Sequence, residues 1–258
     1  MDSFVLDSFQ ISDTGKVREL NEDNVGCFVS KDKAVRFYIV ADGMGGHLAG
    51  EVASQMAVDV FGEVAGSFEY SDEESLRGFL SEIVDVINKK IRQKSSESEK
   101  CRNMGTTAVI YAATEVYGIF CNVGDSRGYI ISGEGIKQIT KDHSLVQSMI
   151  DDGYIFGDEA QKHHFSHVIT RALGFLKTDK EDEKTCDLFK VQPKTGERVI
   201  LCSDGLTNMI EDEDICKTVI AASSLEDAGK ELVRIANENG GHDNITVSLI
   251  RYRGGEKI

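Results

Sequence analysis

Three strongly apolar runs in the chain each stop on an aspartate: Phe37-Tyr38-Ile39-Val40-Ala41-Asp42, Ile119-Phe120-Cys121-Asn122-Val123-Gly124-Asp125 and Val199-Ile200-Leu201-Cys202-Ser203-Asp204. Runs of this length and composition read as strands. A fourth aspartate, Asp243, stands just before the run Ile245-Thr246-Val247, and Glu22 and Asp23 immediately precede a strand expected from Val25. One Asp-Gly pair is only a turn signal. Several acids beside apolar strands carry more weight, because strands that bring their ends together also bring the acids together. Anions so close repel one another and resist leaving water. Divalent cations relieve that repulsion, and carboxylate with water selects hard ions such as Mg²⁺ or Mn²⁺.

Further strand signals lie at Phe4–Ile11, Val25–Val29, Val35–Val40, Thr106–Ala112, Tyr117–Val123, Gly128–Ile131, Ile136–Ile139, Leu188–Val191, Val199–Cys202 and Ile245–Ile250. Ser132-Gly133-Glu134-Gly135 reads as a hairpin turn. A first amphipathic helix is expected over Ala49–Val64. A second opens at Ser71, with Glu74 completing a capping box, and keeps Leu76, Phe79, Leu80, Ile83, Val84, Ile87 and Ile91 on one face. Two more are expected at Glu213–Ala222 and Leu225–Glu238, the latter opened by serine. This order lacks the strict βαβ alternation of a doubly wound parallel sheet. It fits an α+β fold: a central β-sandwich of two largely antiparallel sheets flanked by helix pairs.

The 258 residues are expected to form a single domain, 1–258, with the polar stretch Lys94–Lys100 as an exposed loop. The balance of 44 Asp and Glu against 29 Lys and Arg, a net charge of −15, argues against nucleic acid or an anionic membrane as partner. No apolar run approaches the roughly 18–20 residues of a membrane span. The opening MDSFVLDSFQISDTG has neither the basic nor the apolar region of a secretory signal. The six cysteines, with no Cys-x-x-Cys, read as free thiols, of which Cys27, Cys121, Cys186 and Cys202 fall in strand-like runs. A reduced, cytoplasmic, monomeric protein is expected.

Eight segments occur in an order that resembles the PPM (PP2C-type) metal-dependent protein serine/threonine phosphatases, in a version similar to the compact bacterial branch. They are Arg18–Asn24, Ala41-Asp42-Gly43-Met44-Gly45-Gly46-His47, Gly105-Thr106-Thr107, Val123-Gly124-Asp125-Ser126-Arg127, Asp142-His143-Ser144, Ile169–Gly174, Ser203-Asp204-Gly205-Leu206 and Asp243-Asn244-Ile245-Thr246. The match extends over residues 14–250. The resemblance implies the sandwich fold, with two Mn²⁺ or Mg²⁺ ions in a cleft at one edge. It implies that Asp42 bridges the ions, that the Gly43 carbonyl binds one and Asp204 and Asp243 the other, and that Glu22 serves the first through water. Asp125 with Asp204 would offer a third, weaker site. Asp23 would orient the attacking water and Arg18 would clamp the phosphate, a bidentate task suited to guanidinium. The implied reaction is in-line attack of a metal-bridging water on phosphoserine or phosphothreonine in proteins, opposed in the cell by a cognate Ser/Thr kinase.

Many eukaryotic relatives carry a His directly after the Asp-Gly, where Met44 stands here. The general acid is therefore unassigned, with His47 three residues further on. His163, His164 and His167 lack a nearby Cys and match neither common zinc-finger spacing, so they read as surface. Residues 145–184 correspond to the family's variable flap, and Thr106 and Thr107 are expected to be core strand without chemistry of their own. Other classes fit poorly. A catalytically inactive regulatory domain would lose metal acids, yet Asp42, Asp204 and Asp243 are present. Cys121 precedes Arg127 by six residues, but without the glycine-rich cradle of a tyrosine phosphatase. There is no Asp-x-Asp nucleophile motif opening the fold, and no Gly-x₄-Gly-Lys-Ser/Thr phosphate loop.

Overall fold

Residue alternation builds this fold. In the strand β3 (Arg36–Met44), Phe37, Ile39 and Ala41 pack with helices, while Tyr38 and Val40 pack into the space between two sheets. Both faces are buried from Phe37 to Ala41, so that stretch is apolar throughout. The computed structural model describes residues 6–45, 49–97, 99–156, 165, 168–175 and 185–253.

The first sheet contains β1 (Leu6–Asp13), β7 (Arg127–Ser132), β8 (Gly135–Gln138), β10 (Arg198–Cys202) and β11 (Ile245–Tyr252), in the order β1-β11-β10-β7-β8. The second contains β2 (Asp23–Val29), β3, β5 (Ala108–Ala113), β6 (Gly118–Val123) and β9 (Asp187–Val191), in the order β2-β3-β5-β6-β9. The short β4 (Gly105–Thr106) pairs with the end of β3. All pairings are antiparallel. The two sheets meet over Tyr38, Val109, Tyr111, Phe120, Leu201 and Ile250.

Helices α1 (Ala49–Ala65) and α2 (Glu73–Glu97) cover the second sheet, and α5 (Asp212–Ala221) and α6 (Leu225–Glu238) cover the first. The expected face of α2 is the buried one: Leu76, Leu80, Ile83, Val84, Ile87 and Ile91 are almost solvent-free. Each such side chain contributes about 1.5–3 kcal/mol on burial. Ser224 caps α6 as expected, its hydroxyl accepting from Asp227 N–H.

Several expectations are corrected. The cap of α2 lies one residue later than Ser71: Asp72 accepts from Ser75 N–H at 2.8 Å, and Ser75 Oγ accepts from Asp72 N–H. Most of the stretch expected as an exposed loop at Lys94–Lys100 is helical, since α2 runs to Glu97 and a 3₁₀ turn spans Glu99–Cys101. Lys and Glu favour helix, and polarity alone does not mark a loop. The run Thr106–Ala112 breaks into β4 and β5 at Thr107. Two short helices, α3 (Leu145–Asp151) and α4 (Asp204–Thr207), went unanticipated. His47, His163, His164 and His167, and the stretch Thr178–Lys184, lie outside the described residues.

Candidate metal centre

Asp42 lies within β3 rather than at its end, directly opposite Asp23 in the β2–β3 ladder. Two acids are thereby fixed side by side on neighbouring strands. Thr107 supplies the reason the ladder breaks here: its N–H donates to Asp42 O, and its hydroxyl accepts from Asp42 N–H at 3.0 Å. Thr106 Oγ1 donates to Asp42 O as well. The threonine pair therefore clasps the backbone of Asp42, a role the sequence reading did not give it.

Asp204 opens α4 at the end of β10, and Asp243 stands before the adjacent β11. Gly205 lets the two segments touch, because a Cβ there would lie 2.0 Å from Asn244 O. Asp125 follows β6 after a turn through Gly124, whose φ of +106° suits glycine. These acids act on one another through Asp42. Burial raises its carboxyl pKa well above the usual range, and Asp23, Asp204, Asp125 and Asp243 each raise it further. Burial with Asp204 and Asp142 pushes Asp125 up to about 8. Asp23 rises to about 7, chiefly through burial and against a hydrogen bond from Ser203.

Glu22 and Gly43 form the other side. Gly43 N–H donates to Glu22 O, and a Cβ on Gly50 of α1 would lie 2.3 Å from Glu22 Oε1 and 2.8 Å from Gly43 O. Only a glycine leaves that space, which brings a carboxylate oxygen and a backbone carbonyl to one small cradle. Asn244 holds the approaching loop: its side chain accepts from Glu22 N–H and donates to Thr14 O and Leu20 O. Arg18 sits at the exposed rim, donating to Asp243 Oδ2 at 2.8 Å with Glu22 3.9 Å away. Burial opposes its charge, but Asp243, Glu22 and Asp42 outweigh it and raise its pKa.

The donor set fits hard divalent cations. It is all oxygen, its acids repel one another, Asp125 Oδ1 is buried without a hydrogen bond, and the Gly50 cradle has room beside two oxygens. Among the described residues, no three acidic, His or Cys side chains already enclose one point. Asp243 is instead engaged by Arg18, and Asp204 Oδ2 by Asn208 at 3.0 Å. All eight sequence-derived residues, Arg18, Glu22, Asp23, Asp42, Gly43, Asp125, Asp204 and Asp243, thus converge on one region.

The tyrosine-phosphatase alternative fails on geometry. Cys121 is fully buried, contact with Cys186 and burial raise its thiol pKa, and Arg127 is paired bidentately with Asp142. A nucleophilic thiolate needs the opposite environment.

The family model described as protein phosphatase 2C matches residues 15–250. The chain belongs to the protein phosphatase 2C family. It is 36% identical over 240 residues to a serine/threonine phosphatase, stp, of Listeria innocua, covering 93% of each chain. The structure of the S. agalactiae serine/threonine phosphatase superposes with a TM-score of 0.89 at 32% identity, covering 96% of this chain and 100% of that one. The catalytic domain of the phosphatase PstP, solved with two manganese ions, superposes with a TM-score of 0.82 at 31% identity, covering 97% and 100%. Within the protein phosphatase 2C family, then, Thr107, Ser203 and Asn244 are residues whose roles in this chain the sequence reading missed. Each holds an acid far from it in sequence, Thr107 at Asp42, Ser203 at Asp23 and Asn244 at Glu22, so no local signal marks them.

Proposed function

We propose that this enzyme, a protein serine/threonine phosphatase, works with two divalent cations, Mn²⁺ or Mg²⁺, held by Asp42, the Gly43 carbonyl, Asp204 and Asp243, with Glu22 acting through water. Asp125 with Asp204 would form a third, weaker site. The observation that carries this reading is the setting of Asp42: it is paired across the β2–β3 ladder with Asp23, burial and then four further aspartates raise its pKa, and the Arg18 guanidinium stands at the rim beside Asp243. Bound cations of this kind supply Lewis acidity, which makes a water nucleophile available near neutral pH and neutralises phosphoryl oxygens.

The chain's own residues position the rest. Asp23, fixed at Oδ2 by Ser203 Oγ at 2.7 Å, orients the attacking water. Arg18, once released from Asp243, offers paired N–H groups to the phosphoryl oxygens. Met44 has no proton to give, so the leaving alkoxide takes its proton from another donor. The substrates are phosphoserine and phosphothreonine proteins, made by a cognate Ser/Thr kinase.

Residues 1–258 act as one catalytic domain with a flap near 145–184, and the protein works as a cytoplasmic monomer. No described helix is long and apolar enough to cross a membrane. Hydrolysis of a phosphothreonine peptide with Mn²⁺, with EDTA, and by Asp204→Ala tests the reading. Activity is expected only for the wild type with Mn²⁺. No activity with metal demonstrably bound would overturn it in favour of a regulatory domain.

A further inference from the structure

His143 is buried, 8% exposed, and its polar atoms reach three separate parts of the fold. Its backbone N–H donates to Gly124 O at 2.9 Å, and Gly124 N–H donates back to His143 Nδ1 at 3.0 Å. This two-point clasp grips the residue immediately before Asp125. Gly124 also packs closely against Thr107, the residue that holds Asp42, since a Cβ on it would lie 2.6 Å from the Thr107 side chain. His143 O accepts from Thr170 N–H at 2.7 Å, and Nε2 lies 3.1 Å from Asp187 Oδ2 at the start of β9.

The tautomer follows from the partners. A backbone N–H can only donate, so Nδ1 is an acceptor and the ring proton sits on Nε2, facing the Asp187 carboxylate. Arg171 Nη1, 3.2 Å from Nε2, cannot donate to a nitrogen that already carries a proton; its partner is the same carboxylate, 3.6 Å away at Oδ1. The one proton of this ring is committed to the Asp187 carboxylate, away from any leaving group, so His143 is not the missing general acid.

We infer that His143 is a positioning residue that fixes the Gly124–Asp125 turn at the metal cleft and ties it to the 168–175 segment and to β9. This inference rests on the proposed reading of Asp125 as an acid of the site. Residues that orient metal-binding groups from behind commonly change metal affinity about 10–100-fold when removed.

The test compares His143→Ala with His143→Asn, whose side-chain oxygen can replace Nδ1 as the acceptor. In metal-free protein, Gly124 amide exchange is expected to speed up about tenfold in His143→Ala, with β11 amides unchanged, and to return towards wild type in His143→Asn. The Mn²⁺ concentration for half-maximal activity is expected to rise about tenfold in His143→Ala with peptide KM unchanged. Unchanged Gly124 exchange in folded His143→Ala would overturn the positioning role. Altered exchange with an unchanged Mn²⁺ requirement would uphold that role and overturn the Asp125 assignment instead. Should His143→Ala fail to fold, ¹⁵N NMR of the wild-type imidazole still decides: a proton on Nδ1 contradicts the inference, and a proton on Nε2 supports it.

Discussion

Ser203 Oγ donates a 2.7 Å hydrogen bond to Asp23 Oδ2 across 180 residues of chain, joining the two sheets at the metal cleft. The same hydroxyl accepts from Thr246 N–H at 3.0 Å, so one buried side chain serves an acid and a strand end together. Removing it leaves a buried carboxylate and a buried amide without that partner, each loss costing about 1–3 kcal/mol. Ser203→Ala is therefore expected to lower Tm by several degrees, roughly 2–4 °C per kcal/mol in a domain this size. Calorimetry of EDTA-treated protein measures this. An unchanged Tm would mean that the bond contributes nothing to holding Asp23.

Asn244 makes three hydrogen bonds with its side chain to the loop that carries Arg18 and Glu22. Aspartate in its place keeps the acceptor for Glu22 N–H and loses both donors. Asn244→Asp is expected to lower kcat/KM for a phosphopeptide at least tenfold, a misplacement effect rather than a loss of chemistry. Steady-state kinetics give the number, and wild-type kcat/KM would show that the loop is held by other means.

Asp7 bridges Arg251 and Arg253 at the β1–β11 edge. Burial opposes its charge, but the two guanidinium groups outweigh that and place its pKa below the ordinary 3.8. A lowered carboxyl pKa stabilises the fold fully above the unfolded value and loses that contribution as pH falls through the folded one. Asp7→Asn is expected to cost less than about 1 kcal/mol at pH 7, since the pair is partly exposed. The difference in Tm from wild type should vanish below the folded pKa. A difference that grows on acidification would contradict the sign.

At the metal cleft the sign is opposite. Asp23 at about 7, Asp125 at about 8 and Asp42 well above the usual range are all raised. The metal-free fold holds protons that the unfolded chain has released, so it loses stability as pH rises from the unfolded value near 3.8 to the folded ones. Mn²⁺ at about 100 times its Kd adds about 2.7 kcal/mol, or roughly 5–10 °C in Tm. Asp42→Asn removes an acid that stays buried only by holding a proton, and is expected to raise Tm without metal, more at pH 8 than at pH 6, and to abolish the Mn²⁺ response. Thermal scans with and without EDTA at pH 6 and 8 test both parts.

Much of this was legible in the chain itself. Apolar runs ending on Asp42, Asp125 and Asp204 marked the strands and the acids, and the seven-residue apolar face of α2 marked its buried side. Helix ends were less legible: Asp72 rather than Ser71 caps α2, because both residue types suit an N-cap and their order in the chain does not say which one takes it. Convergence of the acids came from family resemblance, since spacing along a chain does not state which strand ends meet. The supports were hidden for a different reason. Thr107, Ser203, Asn244 and His143 act through hydrogen bonds between segments far apart in sequence, and no local pattern distinguishes them from ordinary core or turn residues.

The central claim, that these acids exist to hold two divalent cations, is most directly tested by native mass spectrometry of EDTA-stripped protein titrated with Mn²⁺. Two tightly bound ions are expected for the wild type, neither of them retained tightly by Asp42→Asn, with no phosphopeptide hydrolysis until both are bound. Full activity with no more than one ion bound, or two tight ions retained by Asp42→Asn, would contradict it.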